Sequence, residues 1–218
     1  MTKDQHSKQA PHQHAAITAI LELLTLAERL KCELRHSWLS DGRRESVAEH
    51  TWQMALMAVV LHPHLEHQAD LCRTLKMVLI HDLVEAEAGD VPFFETGARK
   101  EAKAAREQAA ITRIRDLLPE PSGQEIAALW YEFEAGETVE AAFARALDNL
   151  EVQVQHNLAD LSTWQEIEYD LVYTKMDRHC QHDAFLALFC NAVKQEAERK
   201  MKSAGLDMAA IRARADAS

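Results

Sequence analysis

Residues that break helices are rare and unevenly spaced in this chain. Its 218 residues include six Gly and five Pro. None falls between Pro11 and Gly42, Pro63 and Gly89, Gly97 and Pro119, or Gly136 and Gly205. Gly and Pro are the strongest local punctuation of secondary structure, so such stretches favour helices. They are rich in Ala, Leu, Glu, Gln, Lys and Arg, which lose little side-chain freedom in a helix. No segment sustains the period-two alternation of Val, Ile and Thr that a sheet requires. The pattern predicts an all-α fold: one compact helical domain over residues 14–205 with additional C-terminal helices. A flexible N-terminus (1–13) and a frayed tail (206–218) flank it.

Individual helices can be placed from their ends. The first is expected from about His14 to Lys31, with Ile17, Ile20, Leu21 and Leu24 on one face. Ser40-Asp41-Gly42 reads as a turn. Ser46 reads as an N-cap with Glu49 as its capping-box partner three residues on, and the helix it opens should stop before His62-Pro63. The next is expected over about Ala69 to Ala88, ending at Gly89. A polar, largely solvated helix is expected over Ala98 to Leu118, followed by helices over Gly123 to Glu134 and Glu137 to Ala159. One or two more are expected over Leu161 to Met201, where Phe185, Leu186, Leu188 and Phe189 could close the core or pack on a partner.

Composition excludes several functions. The longest apolar run is Met54 to Leu61, whereas a membrane-spanning helix needs about 20 residues. No apolar leader is visible at the N-terminus. The net charge is -11, from 24 basic and 35 acidic residues. There is no long basic run for a nucleic-acid polymer. Cys32, Cys72, Cys180 and Cys190 form no CxxC pair, and they read as reduced, buried cytosolic thiols. The expected location is the cytoplasm.

The chemistry centres on His81-Asp82, which directly follows the apolar run Lys76-Met-Val-Leu-Ile80. Polar residues that continue a core-facing run must be paired or must ligate a metal. Neighbouring helical residues point about 100° apart. Both can therefore reach one ion only if it lies over the edge between them, with further ligands from elsewhere. His50, just before Met54–Leu61, and Asp148, beside the stripe Phe143, Leu147, Leu150, Val154 and Leu158, are candidates. Two imidazoles and two carboxylates suit one divalent transition metal ion: Mn, Fe, Co, Ni or Zn. The second dipeptide, His182-Asp183, has no core run before it and reads as structural. His62, His64 and His67 read as a solvated loop.

Four segments in order carry a resemblance. They are Ser46-Val-Ala-Glu-His50-Thr-Trp, Lys76-Met-Val-Leu-Ile-His81-Asp82-Leu-Val-Glu85 with Gly89-Asp90-Val-Pro92, Tyr131-Glu-Phe-Glu-Ala-Gly136, and Ala146-Leu-Asp148-Asn-Leu-Glu. Together they resemble the HD-domain superfamily of metal-dependent phosphohydrolases, most closely its 5′-deoxynucleotidase branch, over about Leu30 to His156. The resemblance implies metal ligation by His50, His81, Asp82 and Asp148, and proton handling by Glu85. It also implies a sugar contact from Asp90, a phosphate contact from Arg35, and an aromatic beside the site at Trp38. The implied reaction is hydrolysis of a deoxyribonucleoside 5′-monophosphate, with a small-molecule nucleotide as substrate and a possible homodimer as the assembly. The alternatives are another phosphohydrolase of the superfamily, acting on a di- or triphosphate, an alarmone or a phosphodiester, or a non-catalytic module in which the metal only holds the helices. Ala86 separates Glu85 from Glu87, whereas the alarmone hydrolase pattern has two adjacent acids.

Overall fold

The computed structural model describes residues 3–217. Its helices are α1 (Lys3–Ala27), α2 (Val47–Leu61), α3 (Leu71–Ile80), α4 (Glu85–Ala88), α5 (Ala98–Glu101), α6 (Lys103–Leu117), α7 (Ser122–Ala135), α8 (Val139–Leu158), α9 (Glu166–Thr174), α10 (Asp177–Cys180), α11 (Ala184–Ser203) and α12 (Met208–Ala215). The one sheet among the described residues is an antiparallel hairpin of β1 (Leu34–Trp38) and β2 (Arg44–Ser46).

α8 runs through the middle, and α2, α3, α7, α10 and α11 pack around it. Their shared core includes Met54, Met77, Phe143, Leu147, Leu150 and Leu186. Phe185 and Phe189 pack against the same core, while Leu188 faces solvent. The apolar face of α11 thus mainly closes the core of its own subunit.

Several boundaries follow the expected chemistry. Ser46 Oγ accepts from the Glu49 N–H, and Glu49 reaches back to the Ser46 N–H at 2.9 Å, completing the capping box of α2. Thr138 caps α8 by accepting from the Ala141 N–H. Gly136 closes α7 with φ of 65°, a left-handed conformation in which a side chain would be strained.

Other boundaries differ. The hairpin was not expected, because β1 and β2 are too short and polar to show alternation. It is held by Ser46 opposite Leu34, and the Ser40-Asp41-Gly42 turn closes it. α3 stops at Ile80 rather than continuing to Ala88. From there the N–H groups of Leu83 and Glu85 bond to carbonyls three residues back, a tighter turn than the α-helix. α1 begins at Lys3, well inside the segment expected to be flexible; residues 1 and 2 lie outside the described residues. Ile17, Ile20, Leu21 and Leu24 on it are exposed. The 206–218 segment expected to fray forms α12, which buries Ile211 and Ala215 against α9 and α11; residue 218 lies outside the described residues. The polar segment 98–118 buries Ala110, Ile111 and Ile114 on α6. Cys32 and Cys72 are exposed, and only Cys180 and Cys190 are buried.

Candidate metal and phosphate site

Four separate pieces of chain meet at one end of the core. α2 supplies His50 from its first turn, and the capping box fixes where that turn begins. The turn after α3 supplies His81 and Asp82, and α4 supplies Glu85. α8 supplies Asp148, and β1 supplies Arg35. Arg35, Asp82, Glu85 and Asp148 line a cavity of about 360 Å³, within the range of small-molecule sites, and the buried His50 and His81 sit behind it against Asp82 and Asp148.

The two imidazoles are buried, and each has one nitrogen committed to the protein. His50 Nδ1 lies 2.5 Å from Glu151 Oε2, and His81 Nδ1 lies 2.8 Å from the Val78 carbonyl. A hydrogen bond at Nδ1 fixes the tautomer and leaves the Nε2 lone pair for a ligand. Both Nε2 atoms are buried and make no hydrogen bond. Each instead faces a carboxylate: His50 Nε2 is 3.3 Å from Asp148 and 3.7 Å from Asp82, and His81 Nε2 is 3.2 Å from Asp82. The ligand atoms of His50, His81 and Asp148 all lie within 4.8 Å of one another. Two orphaned imidazole nitrogens facing two carboxylates fit a divalent first-row cation.

Within the cluster the imidazoles and Arg35 supply the positive charge that the two carboxylates face, and a metal binding there would displace the proton from Nε2. Burial opposes charge on Asp82 and on Asp148. For Asp82 this is outweighed by His81, Arg35 and His50, and for Asp148 by His50, His81 and Arg35. Both carboxyls therefore stay well below the usual carboxylate range. Burial and Arg35 oppose a charge on His50, but Glu151 and Asp148 outweigh them and push the ring up to about 10. Behind His50, burial and the charge of Glu151 push Glu45 up to about 8. Arg35 bridges the two layers, with Nη1 3.3 Å from Asp82 and Nε 3.6 Å from Glu45.

Glu85 lines the same cavity, and its Oε2 makes no hydrogen bond. Burial, with Asp82 and Asp90 nearby, raises it well above an ordinary glutamate. Asp90 lines the cavity from the loop after α4. Its backbone is pinned by Glu33, which accepts from the Asp90 N–H at 3.0 Å, and by Arg99, which donates to the Asp90 carbonyl. Gly89, with φ of 74°, makes the reversal into this loop.

Trp38, unlike the expected histidines behind the wall, joins neither the cavity wall nor the His/Asp cluster. Its carbonyl accepts from Gln155 at 2.7 Å, and His36 and Ser37 line the cavity in its place. Two of the loop histidines have partners elsewhere. His62 Nε2 bonds the Ala69 carbonyl at 2.8 Å, and His64 stacks on Phe185. Three contributors escaped sequence reasoning. Glu151 had a usable signal, since it lies three residues after Asp148 on the same helical face. Lys103 lines the cavity from the segment expected to be solvated, paired with Glu107 at 3.3 Å. Lys175, at the end of α9, carries no motif at all.

A family model described as HD domain matches residues 27–202. The human protein named 5′-deoxynucleotidase HDDC2 is 32% identical over 153 residues, covering 69% of this chain and 71% of its own. The fission yeast protein named 5′-deoxynucleotidase hdd1 is 28% identical over 143 residues, covering 63% of this chain and 70% of its own. A crystal structure from Magnetospirillum magnetotacticum MS-1, described as a predicted metal-dependent phosphohydrolase, superposes with a TM-score of 0.73 at 33% identity. It covers 85% of this chain and 94% of that one.

Proposed function

The chain belongs to the HD domain family, and from that premise we propose that it is a metal-dependent 5′-deoxynucleotidase. It would cleave deoxyribonucleoside 5′-monophosphates to deoxynucleoside and inorganic phosphate. The relatives' activity motivates the substrate class. The observation that carries the reading is the pair of buried, unbonded Nε2 atoms of His50 and His81 facing Asp82 and Asp148.

His50, His81, Asp82 and Asp148 would hold one divalent ion, which when bound supplies a Lewis acid and acidifies water near neutral pH. The chain's own groups do the rest. Arg35 presents a fixed guanidinium on the wall beside Asp82, where it can offset charge on the phosphoryl oxygens. Glu85 Oε2, free of protein partners, can hold the proton that the leaving 5′-oxygen must receive. Asp90, on its pinned loop, can accept from the 3′-hydroxyl of the sugar. Cavity walls from Phe93, Phe94 and Phe133 exclude water from part of the site.

The test is to strip the protein of metal, add back Mn, Co, Ni, Zn or Mg, and measure phosphate release from the deoxy- and ribonucleoside 5′-monophosphates, with His81→Ala and Glu85→Ala alongside. Metal-dependent release that favours the deoxy series and is lost in both variants is expected. Metal binding without release from any monophosphate would overturn the proposal and point to a di- or triphosphate or diester substrate.

A further inference from the structure

Lys175 is a largely buried lysine on the cavity wall with no carboxylate partner among the described residues. The contrast with Lys103 is direct, because Lys103 lines the same cavity but is salt-bridged to Glu107. The Lys175 ammonium rests 4.6 Å from the centre of the Phe93 ring, in the loop that carries Asp90. Asp148 is the carboxylate that acts on it most, against three cations. Burial, with Arg35, Arg178 and Lys100, holds it below the ordinary lysine range, while Asp148 acts the other way. A buried ammonium with no carboxylate in direct contact destabilises a fold. In a chain of net charge -11, a carboxylate could readily have been placed beside it. Lys175 lines the same cavity as Arg35, Asp82 and Asp148.

We propose that Lys175 is a substrate-binding residue, whose ammonium contacts a phosphoryl oxygen of the nucleotide from the α9 side while Arg35 contacts the phosphate from β1. This deepens the nucleotidase reading and rests on it for the identity of the phosphate ester. The two cations come from segments about 140 positions apart, so the phosphate would draw the C-terminal helices and the hairpin onto one ligand. A lysine acts there as a compact point charge, without the fixed fork of an arginine.

A purely structural role makes a different prediction. Lys175 is the C-cap residue of α9, where a cation interacts favourably with the helix dipole, and its ammonium lies over the Phe93 ring. If that were its purpose, removing the charge would lower stability.

The experiment uses metal-loaded full-length protein, with Lys175→Met and Lys175→Arg. Titration calorimetry measures binding of inorganic phosphate, thermal unfolding measures Tm, and steady-state assays with a deoxynucleoside 5′-monophosphate give KM and kcat. In Lys175→Met, phosphate affinity should weaken by about tenfold or more and KM should rise in parallel, with Tm unchanged or higher. Lys175→Arg should restore phosphate binding to within a few-fold of the parent. Phosphate affinity within twofold of the parent in Lys175→Met overturns the proposal. So does a lowered Tm with phosphate binding retained. If the parent binds phosphate through Lys175 yet hydrolyses no monophosphate, the contact stands and the nucleotidase reading falls.

Discussion

His81-Asp82 and His182-Asp183 are the same dipeptide in two settings, and their side chains do opposite things. Asp183 is saturated by backbone. It accepts from the N–H groups of Phe185 and Leu186 at the start of α11, at 2.9 and 3.1 Å. It also accepts from Glu66 and His67 across the fold, at 2.7 and 3.2 Å. Its neighbour His182 is exposed. Asp82 instead meets only side chains, all cationic or able to become so: Arg35, His50 and His81. Its neighbour His81 is buried, with Nε2 unbonded. Backbone N–H groups that cannot leave give a structural carboxylate. Convergent side chains with unsatisfied nitrogens give a carboxylate left over for a ligand.

The largest expected effect breaks the first dipeptide. Asp82→Asn removes a charge that three cationic groups share, and should reduce kcat/KM by on the order of 10³-fold or more. Metal content after gel filtration, measured by plasma emission spectrometry, should fall with it. Full activity and full metal content in this variant would remove Asp82 from the site.

Next comes the second dipeptide. Asp183→Ala leaves four N–H groups without their acceptor and should cost about 2–3 kcal/mol, a fall in Tm of roughly 5–10 °C for a chain of this size. Turnover below the transition should be unaffected. The pH dependence has a definite sign. Burial acts to raise the Asp183 carboxyl, but the backbone donors outweigh it and lower it. A depressed carboxyl contributes stability that is present above its unfolded value and lost as pH falls through its folded value. The Tm gap between parent and Asp183→Ala should therefore narrow below about pH 4. A gap that widens on acidification would contradict this assignment.

A smaller effect sharpens the comparison from behind His50. Glu151→Gln keeps the shape of the His50 partner but removes its charge, so it should weaken metal affinity by about 10–100-fold. Competition against a fluorescent chelator would read this directly, and unchanged affinity would show that the His50–Glu151 contact only packs.

Local chemistry was legible in the sequence, and long-range placement was not. The α2 capping box could be read because Ser46 and Glu49 act across a single turn. His81-Asp82 stood out because polar residues interrupt a core run, and the order of the four segments supplied His50 and Asp148. The end of α3 at Ile80 left no such mark: the next breaker is Gly89, and the tightening depends on where α4 packs. The hairpin depends on Leu34 meeting Ser46 across a turn. Trp38 falls one strand position past the residues that reach the cavity. α12 is half alanine with apolar residues all round, so no stripe marks Ile211 and Ala215 as its docked face. Lys103 and Lys175 looked like ordinary surface lysines, because what distinguishes them is burial that only the tertiary fold confers.

The smallest expected effect is the sharpest check on the comparison. His182→Ala should change neither turnover nor metal content, and should shift stability by no more than about 0.5 kcal/mol. Its side chain is exposed, and the cap belongs entirely to Asp183. His81→Ala, the same substitution in the same dipeptide, removes the buried, unbonded Nε2 and the Val78 contact. If His182→Ala lost metal or activity, the second dipeptide would be part of a site and the distinction drawn from backbone donors would be wrong. If His81→Ala were as mild as His182→Ala, the orphaned Nε2 would be a packing accident. The reading requires the two substitutions to differ by on the order of a thousandfold in kcat/KM, measured side by side in one assay.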